Sequence, residues 1–313
     1  MTSAESTFVL AFDIGGSHVT AGLCRLSDLH ILHESSASLA GPNARIDTFD
    51  AFADLLYRLG SQASAGAVNV TGAALAVPFP FDTDAGVSLM EHKLKPLYGK
   101  DLRGALAHRF GWAWDQFLFL NDACAYLLGE VGDGSLKGAR RAAGLTLGTG
   151  VGSAFAIDGH CQSDGIGVPP GGEIWNLPYA GGIVEDLIST RAIKAEYLAR
   201  TGLERDVAEI AADAATEDDA REVFEEFGVH LGEVLRDVIA PFHPDMVVIG
   251  GGISRSAPLF LPTAEQQIHG LGFCVVQSTL QDQAPLVGAA HYWREEKADT
   301  SIPQASVAVP RKL

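Results

Sequence analysis

Two stretches of this chain share one layout, an apolar strand, a turn of small residues, and a second apolar strand. Residues 7–26 read TFVLAFDIGG followed by SHVTAGLCRL, and residues 142–159 read AAGLTLGTGVGSAFAIDG. A strand that enters a glycine turn and leaves as a strand is a hairpin, not the start of a βα unit. For the second stretch this argues against a P-loop and against a dinucleotide fingerprint, because both need a helix after the glycines. The echo points to two related halves, each built on its own sheet, with a cleft between them.

The segments around the hairpins alternate between strand and helix patterns. DTFDAFADLLYRLGSQ (47–62) carries apolar side chains at helical spacing, and NVTGAALAVPFPFD reads as a buried strand ended by prolines. KDLRGALAHRFG is a helix stopped by Gly111, and QFLFLNDACAYLLGE is a strand running straight into a helix. Two further helices are expected over 183–199 and 217–240, the second with Val223, Phe224, Phe227, Leu231, Val234, Leu235 and Val238 on one face. DMVVIGGGIS is a strand feeding a triple-glycine turn. The final REEKADTSIPQASVAVPRKL loses periodicity and reads as a mobile tail. The class is α/β.

Composition narrows the functions open to such a chain. Its 313 residues suffice for two domains or one large one, and at 47% hydrophobic it reads as globular. A net charge of −17 leaves no basic surplus for nucleic acid. The N-terminus has no basic region ahead of an apolar core, so no secretion signal is expected, and no apolar run reaches the ~20 residues of a membrane span. Cys24, Cys124, Cys161 and Cys274 are scattered without CxxC spacing, which fits reduced thiols in a cytoplasmic protein.

Four short stretches carry chemistry, and each has a plainer reading beside it. In Asp13-Ile14-Gly15-Gly16-Ser17 the backbone N–H groups could cradle a phosphate, and Asp13 could hold hydrated Mg²⁺; the alternative is an ordinary hairpin turn. Gly148-Thr149-Gly150-Val151-Gly152 could wrap a second phosphate or simply turn the chain. Asp122, after Asn121 at a strand-to-helix junction, could serve as a general base, or the pair could be a helix cap. Gly250, Gly251 and Gly252 could lie flat against a purine or ribose, or form a tight turn.

The order of these stretches is more specific than any one of them. DIGGS, ND, GTGVG, GGEIW and VVIGGGIS occur in the order and approximate spacing of sugar kinases of the actin-like ATPase superfamily. More narrowly, residues 8–290 resemble the ROK family. The resemblance implies a two-lobed actin-like ATPase (ribonuclease H-like) fold with a central cleft. The small lobe would be 1–120 plus about 285–313, and the large lobe 121–284. It implies ATP phosphates held by Asp13, Gly15, Gly16, Ser17 and His18, where many members carry lysine at the last position. Gly148, Thr149, Gly150 and Gly152 would make the second phosphate contact, and Gly250, Gly251 and Gly252 the adenosine side.

Asp122 matches the family's catalytic base, with Asn121 binding a sugar hydroxyl beside it. Glu173 and Glu185 match the two sugar-binding glutamates. The family pattern Glu-x-Gly-His is altered here to Glu173-Ile174-Trp175-Asn176, and the zinc-binding cysteine cluster that normally follows is missing. The expectation is therefore an ATP- and Mg²⁺-dependent sugar kinase without structural zinc, a cytoplasmic homodimer acting on a hexose or N-acetylhexosamine, most simply at C6. The alternative is a non-catalytic sugar-binding or regulatory protein of the same fold. The repressor branch places a winged helix-turn-helix before the first glycine turn, which here begins at residue 13. Whether Trp175 stacks on the sugar or packs in the core is open from sequence.

Overall fold

The computed structural model describes residues 6–39, 46–91 and 94–299. Ten principal strands form two five-stranded sheets. The first holds β1 (Phe8–Ile14), β2 (His18–Arg25), β3 (His30–Ser38), β4 (Val70–Val77) and β5 (Phe117–Asn121), in the order β3-β2-β1-β4-β5. The second holds β6 (Arg141–Leu147), β7 (Val151–Ile157), β8 (His160–Gln162), β9 (Met246–Gly250) and β10 (Cys274–Gln277), in the order β8-β7-β6-β9-β10. Both sheets are thus an antiparallel three-stranded meander followed by two parallel strands. The hairpin echo in the sequence marks a repeat of whole-sheet topology. Two short two-stranded ladders, 81–82 with 87–88 and 178–179 with 182–183, lie outside the sheets.

Among the described residues, nine α-helices flank the sheets. α1 (Phe49–Ala63) and α2 (Leu102–Phe110) cover one face of the first sheet. α4 (Val184–Leu187), α5 (Thr190–Thr201), α6 (Val207–Asp213), α7 (Asp218–Val234) and α8 (Ala257–Gln267) build the core on the outer face of the second. α3 (Asp122–Asp133) and α9 (Ala284–Asp299) occupy the inner faces. Strand side chains divide by size accordingly. Leu10, Phe12, Ile14 and Leu75 point toward α1 and α2, whereas Val9, Ala11, Ala74 and Ala76 face α3 and α9. In the second sheet Leu145, Phe155 and Ile249 face outward, and Ala142, Ala154 and Ala156 face α3. Strands covered on both faces need unbroken apolar runs, and FVLAF and GAALAV supply them.

Small residues on the inner faces let α3 and α9 enter, and glycines let them touch. A Cβ on Gly288 of α9 would overlap the Ala125 carbonyl oxygen, and one on Gly129 of α3 would overlap that of Ala284. α3 also carries Glu130, fully buried. Its carboxylate accepts from Ser278 Oγ at 2.5 Å, from Ser135 N and Oγ at 2.7 Å each, and from Leu280 N at 3.0 Å, which ties α3 to the segment leading into α9. Burial pushes the Glu130 carboxyl up, but these hydrogen bonds outweigh burial and hold it below its usual value.

Three expectations are modified. The helix expected over 183–199 is two, broken at Ile188–Ser189, because Thr190 N donates to Gly148 O at 2.8 Å and turns the chain there. The helix over 217–240 runs as α7, then widens into a π turn over Leu235–Ile239 and closes in a 3₁₀ turn over Ala240–Phe242. The tail is shorter than expected, since α9 carries REEKAD to Asp299; residues 300–313 lie outside the described residues.

Replacing Gly288 by Ala should lower stability by about 3 kcal/mol in a denaturant titration, because backbone on the facing helix cannot yield as a side chain would. Glu130→Gln should cost about 2 kcal/mol at pH 7. A carboxyl held low stabilises the fold above its unfolded pKa and loses that contribution as pH falls through the folded one. The gap between wild type and this variant should therefore narrow below about pH 4, read from the same titration.

Candidate active site

In the parallel part of the first sheet, β1, β4 and β5 end side by side. Asp13 pairs with Ala76, and Val77 pairs with Asn121. The carboxyl edge of such a sheet is where open α/β folds bind ligands. Asp13 is the penultimate residue of β1, and Gly15-Gly16-Ser17 turns the chain into β2. His18 folds back over that turn, with its Nε2 3.3 Å from Asp13 Oδ2 and its Cε1 3.0 Å from where a Cβ on Gly15 would stand. The hydrogen bond to Asp13 raises the His18 pKa above 6.5 against the opposing effect of burial, and the Asp13 and Asp282 charges add to the rise. Asp282 also pairs with Arg255 at 2.7 Å, and Arg255 lies in the 3₁₀ turn that Gly252 opens. This links the first glycine turn to the third.

The third turn reaches the second through backbone contact. Gly250 pairs with Thr146 across β9 and β6. Gly251 adopts φ +77° and packs so closely on Leu147 that a Cβ would overlap its carbonyl oxygen, so glycine is required there on both counts. Gly250 rests on the Tyr126 hydroxyl of α3, a phenol that burial pushes up to about 12. Gly16, Gly148 and Gly252 each have open space where a Cβ would stand, so their backbone can be approached closely.

Asn121 and Asp122 stand where β5 becomes α3. Asn121 caps the helix, its Oδ1 accepting from Cys124 N at 3.0 Å, and Asp122 Oδ1 accepts from Ala123 N at 2.9 Å. The plainer sequence reading, a cap, therefore describes Asn121. It does not exhaust the residue, because the cap uses the carbonyl oxygen and not the amide nitrogen. The Ala123 Cβ lies 3.8 Å from where Gly152 would carry one, which brings the start of α3 against the second glycine turn.

From that turn a chain of contacts leads to the remaining candidates. Val151 N donates to Glu185 Oε2 at 3.2 Å, and Glu185 N donates to Trp175 O at 3.0 Å. Trp175 Nε1 donates to Glu173 Oε2 at 3.0 Å. The loop bearing Glu173, Trp175 and Asn176 is fastened to β7, where Ser153 Oγ donates to Gly172 O at 2.6 Å and accepts from Ile174 N at 3.1 Å. Ile174 is buried, so its neighbours Glu173 and Trp175 point outward; Asn176 is exposed beside them. Arg191 sits 3.8 Å from Glu185 and 2.8 Å from Asp186. Neither Ser153 nor Arg191 was anticipated from sequence, and only the fold brings them to the loop.

A single carboxylate at a strand end beside backbone donors suits Mg²⁺, which binds through one or two carboxylates together with substrate phosphates. Asp13 fits that description. Among the described residues, no three His, Cys, Asp or Glu side chains are grouped to hold a metal ion by themselves, and no helix is long and apolar enough to cross a membrane.

The chain belongs to the ROK family, whose profile it matches over residues 9–296, as its motifs led us to expect. It is 27% identical to a glucokinase of Thermotoga maritima, over 92% of this chain and 97% of that one. The fold is that of the ROK sugar kinases, the actin-like ATPase fold. It superposes on a ROK family glucokinase of Streptomyces griseus in complex with glucose and AMPPNP with a TM-score of 0.73, at 21% identity, covering 91% of this chain and 98% of that one. A ROK family transcriptional regulator, a homologue of the E. coli MLC protein, gives a TM-score of 0.73 at 22% identity, over 93% of this chain and 78% of that one.

The His18–Asp13 contact has a direct test. The His18 ring should titrate above pH 6.5 by NMR and return toward that value in Asp13→Asn. A raised folded pKa means that the pair stabilises the turn below the unfolded value and ceases to do so as pH rises through the folded one.

Proposed function

We propose that the protein is an ATP-dependent sugar kinase that phosphorylates a hexose or N-acetylhexosamine, at the C6 hydroxyl, with Asp122 as general base. The observation that carries this reading is the position of Asp122. It opens α3 at the carboxyl edge of the first sheet, and the next residue, Ala123, lies against Gly152 of the second glycine turn. A contact path runs from that turn to two carboxylates, the exposed Glu173 and the half-buried Glu185. The glucokinase relative and the actin-like fold support the same reaction class.

Asp122 accepts the proton of the acceptor hydroxyl as its oxygen attacks the γ-phosphorus, and the bond to the β–γ bridging oxygen breaks to release ADP. The backbone N–H groups of Gly15, Gly16 and Ser17, and those of Gly148, Thr149, Gly150 and Gly152, hold the phosphates. Gly250, Gly251 and Gly252 line the adenosine side. Mg²⁺, when bound near Asp13, neutralises phosphate charge. His18, bonded to Asp13, stands where many relatives have lysine. Asn121, Glu173, Asn176 and Glu185 bind sugar hydroxyls, the carboxylates as acceptors and the amides as donors.

The lobes we propose are 1–120 with about 285–313, and 121–284. Packing of α9 on β1, β2 and β4 supports assigning it to the first. We further propose a cytoplasmic homodimer without structural zinc, following the resemblance. A second reading, a non-catalytic sugar-binding or regulatory protein, draws on Asn176 standing where the family has histidine.

With Mg-ATP and a panel of hexoses and N-acetylhexosamines, a coupled ADP-release assay should find turnover. Asp122→Asn should reduce kcat by roughly 10³-fold while leaving both KM values within a few-fold. Sugar binding without turnover in the wild type would favour the regulatory reading.

A further inference from the structure

Trp175 is held in an unusual way for a large aromatic residue. It is 40% exposed, outside every hydrophobic core of the protein, yet it is fastened at both ends. Its indole N–H is committed to Glu173 Oε2 at 3.0 Å, and its carbonyl oxygen accepts from Glu185 N at 3.0 Å. Ile174, fully buried and bonded to Ser153, anchors the residue before it. The polar edge of the ring is therefore spent on a carboxylate, and what the indole offers outward is apolar surface. That surface lies beside Glu173, and the backbone of the same residue is bonded to that of Glu185, the two carboxylates already proposed to receive hydroxyls.

We infer that Trp175 is a specificity-determining residue, an aromatic platform for the apolar C–H face of a pyranose acceptor, and that its N–H positions Glu173. The inference rests on the kinase reading for the identity of the acceptor. A pyranose ring carries hydroxyls around its edge and C–H bonds on its faces. An indole ring fastened beside a hydroxyl-accepting carboxylate is complementary to both features at once. An open-chain polyol offers similar hydroxyls but no preformed face, so it gains the hydrogen bonds without the stacking. The family pattern has glycine at this position and histidine at the next, where this chain has Trp175 and Asn176. The aromatic surface thus enters beside the point where the imidazole is lost, and the acceptor is recognised more by its face and less by a ring nitrogen.

Two variants separate the platform from the hydrogen bond. Trp175→Ala removes both, and Trp175→Phe keeps an aromatic face without the N–H. Initial rates with Mg-ATP would be measured against D-glucose, N-acetyl-D-glucosamine and sorbitol, with melting temperatures as a check that the exposed site tolerates the changes. Trp175→Ala should raise the KM of the preferred pyranose at least tenfold and leave the KM for ATP unchanged. Trp175→Phe should recover most of that KM while showing a lower kcat, since Glu173 is no longer oriented. Sorbitol should be a poor acceptor for the wild type.

An unchanged pyranose KM in active Trp175→Ala would overturn the platform and leave the kinase reading intact. Tryptophan emission separates the opposite case. If no pyranose is turned over, but glucose or N-acetylglucosamine alters emission in the wild type and not in Trp175→Phe, the platform stands and the kinase reading falls. No turnover and no such emission change would overturn both.

Discussion

The rest of the structure depends on the crossing of α3 and α9. Both helices lie on the inner faces of the sheets, and their backbones meet where Gly129 and Gly288 carry no side chain. Contact at that distance is possible only between glycines and small neighbours, which explains why the strands face α3 and α9 with alanine while sending leucine and phenylalanine outward. Glu130 adds a polar fastening to this apolar crossing. A buried carboxylate is costly unless its oxygens are filled, and here Ser135, Ser278 and Leu280 fill them.

The crossing matters to the site because α3 is the element that carries Asn121 and Asp122. The helix starts at the carboxyl edge of the first sheet and leans against the second glycine turn through Ala123. Its flank supports the third glycine turn through Tyr126. One helix therefore sets the relative positions of the proposed base and the phosphate and adenosine turns.

A different mechanism organises the proposed acceptor side. Glu173 and Glu185 come from segments that are irregular or barely helical, and such segments are held by specific bonds more than by packing. Ser153 fastens the first, Val151 N engages the second, and Trp175 bonds both. That division would suit the sugar kinase proposed above. The proposed base and phosphate contacts sit on a rigid helix and strand ends, and the proposed acceptor contacts sit on a loop that can change by single substitutions.

Sequence alone determined the class, the hairpin repeat, most helices and the ordered series of glycine turns, because each depends on neighbours within a few residues. Apolar runs reveal doubly covered strands, glycines mark turns, and Asn121-Asp122 marks a strand running into a helix. It did not reveal the edge strand β3, whose HILHESSAS has mixed polarity, or the break in the helix before Thr190, which follows from a bond to Gly148 far away in the chain. Nor did it decide the fate of Trp175. The same residue in the same local sequence could have packed inward, and only Ile174 taking the buried position beside Ser153 turned the indole out. Tertiary structure decided which residues meet, since a contact between Glu185 and Val151, or between α3 and α9, depends on where whole elements pack and not on any pattern that either segment carries by itself.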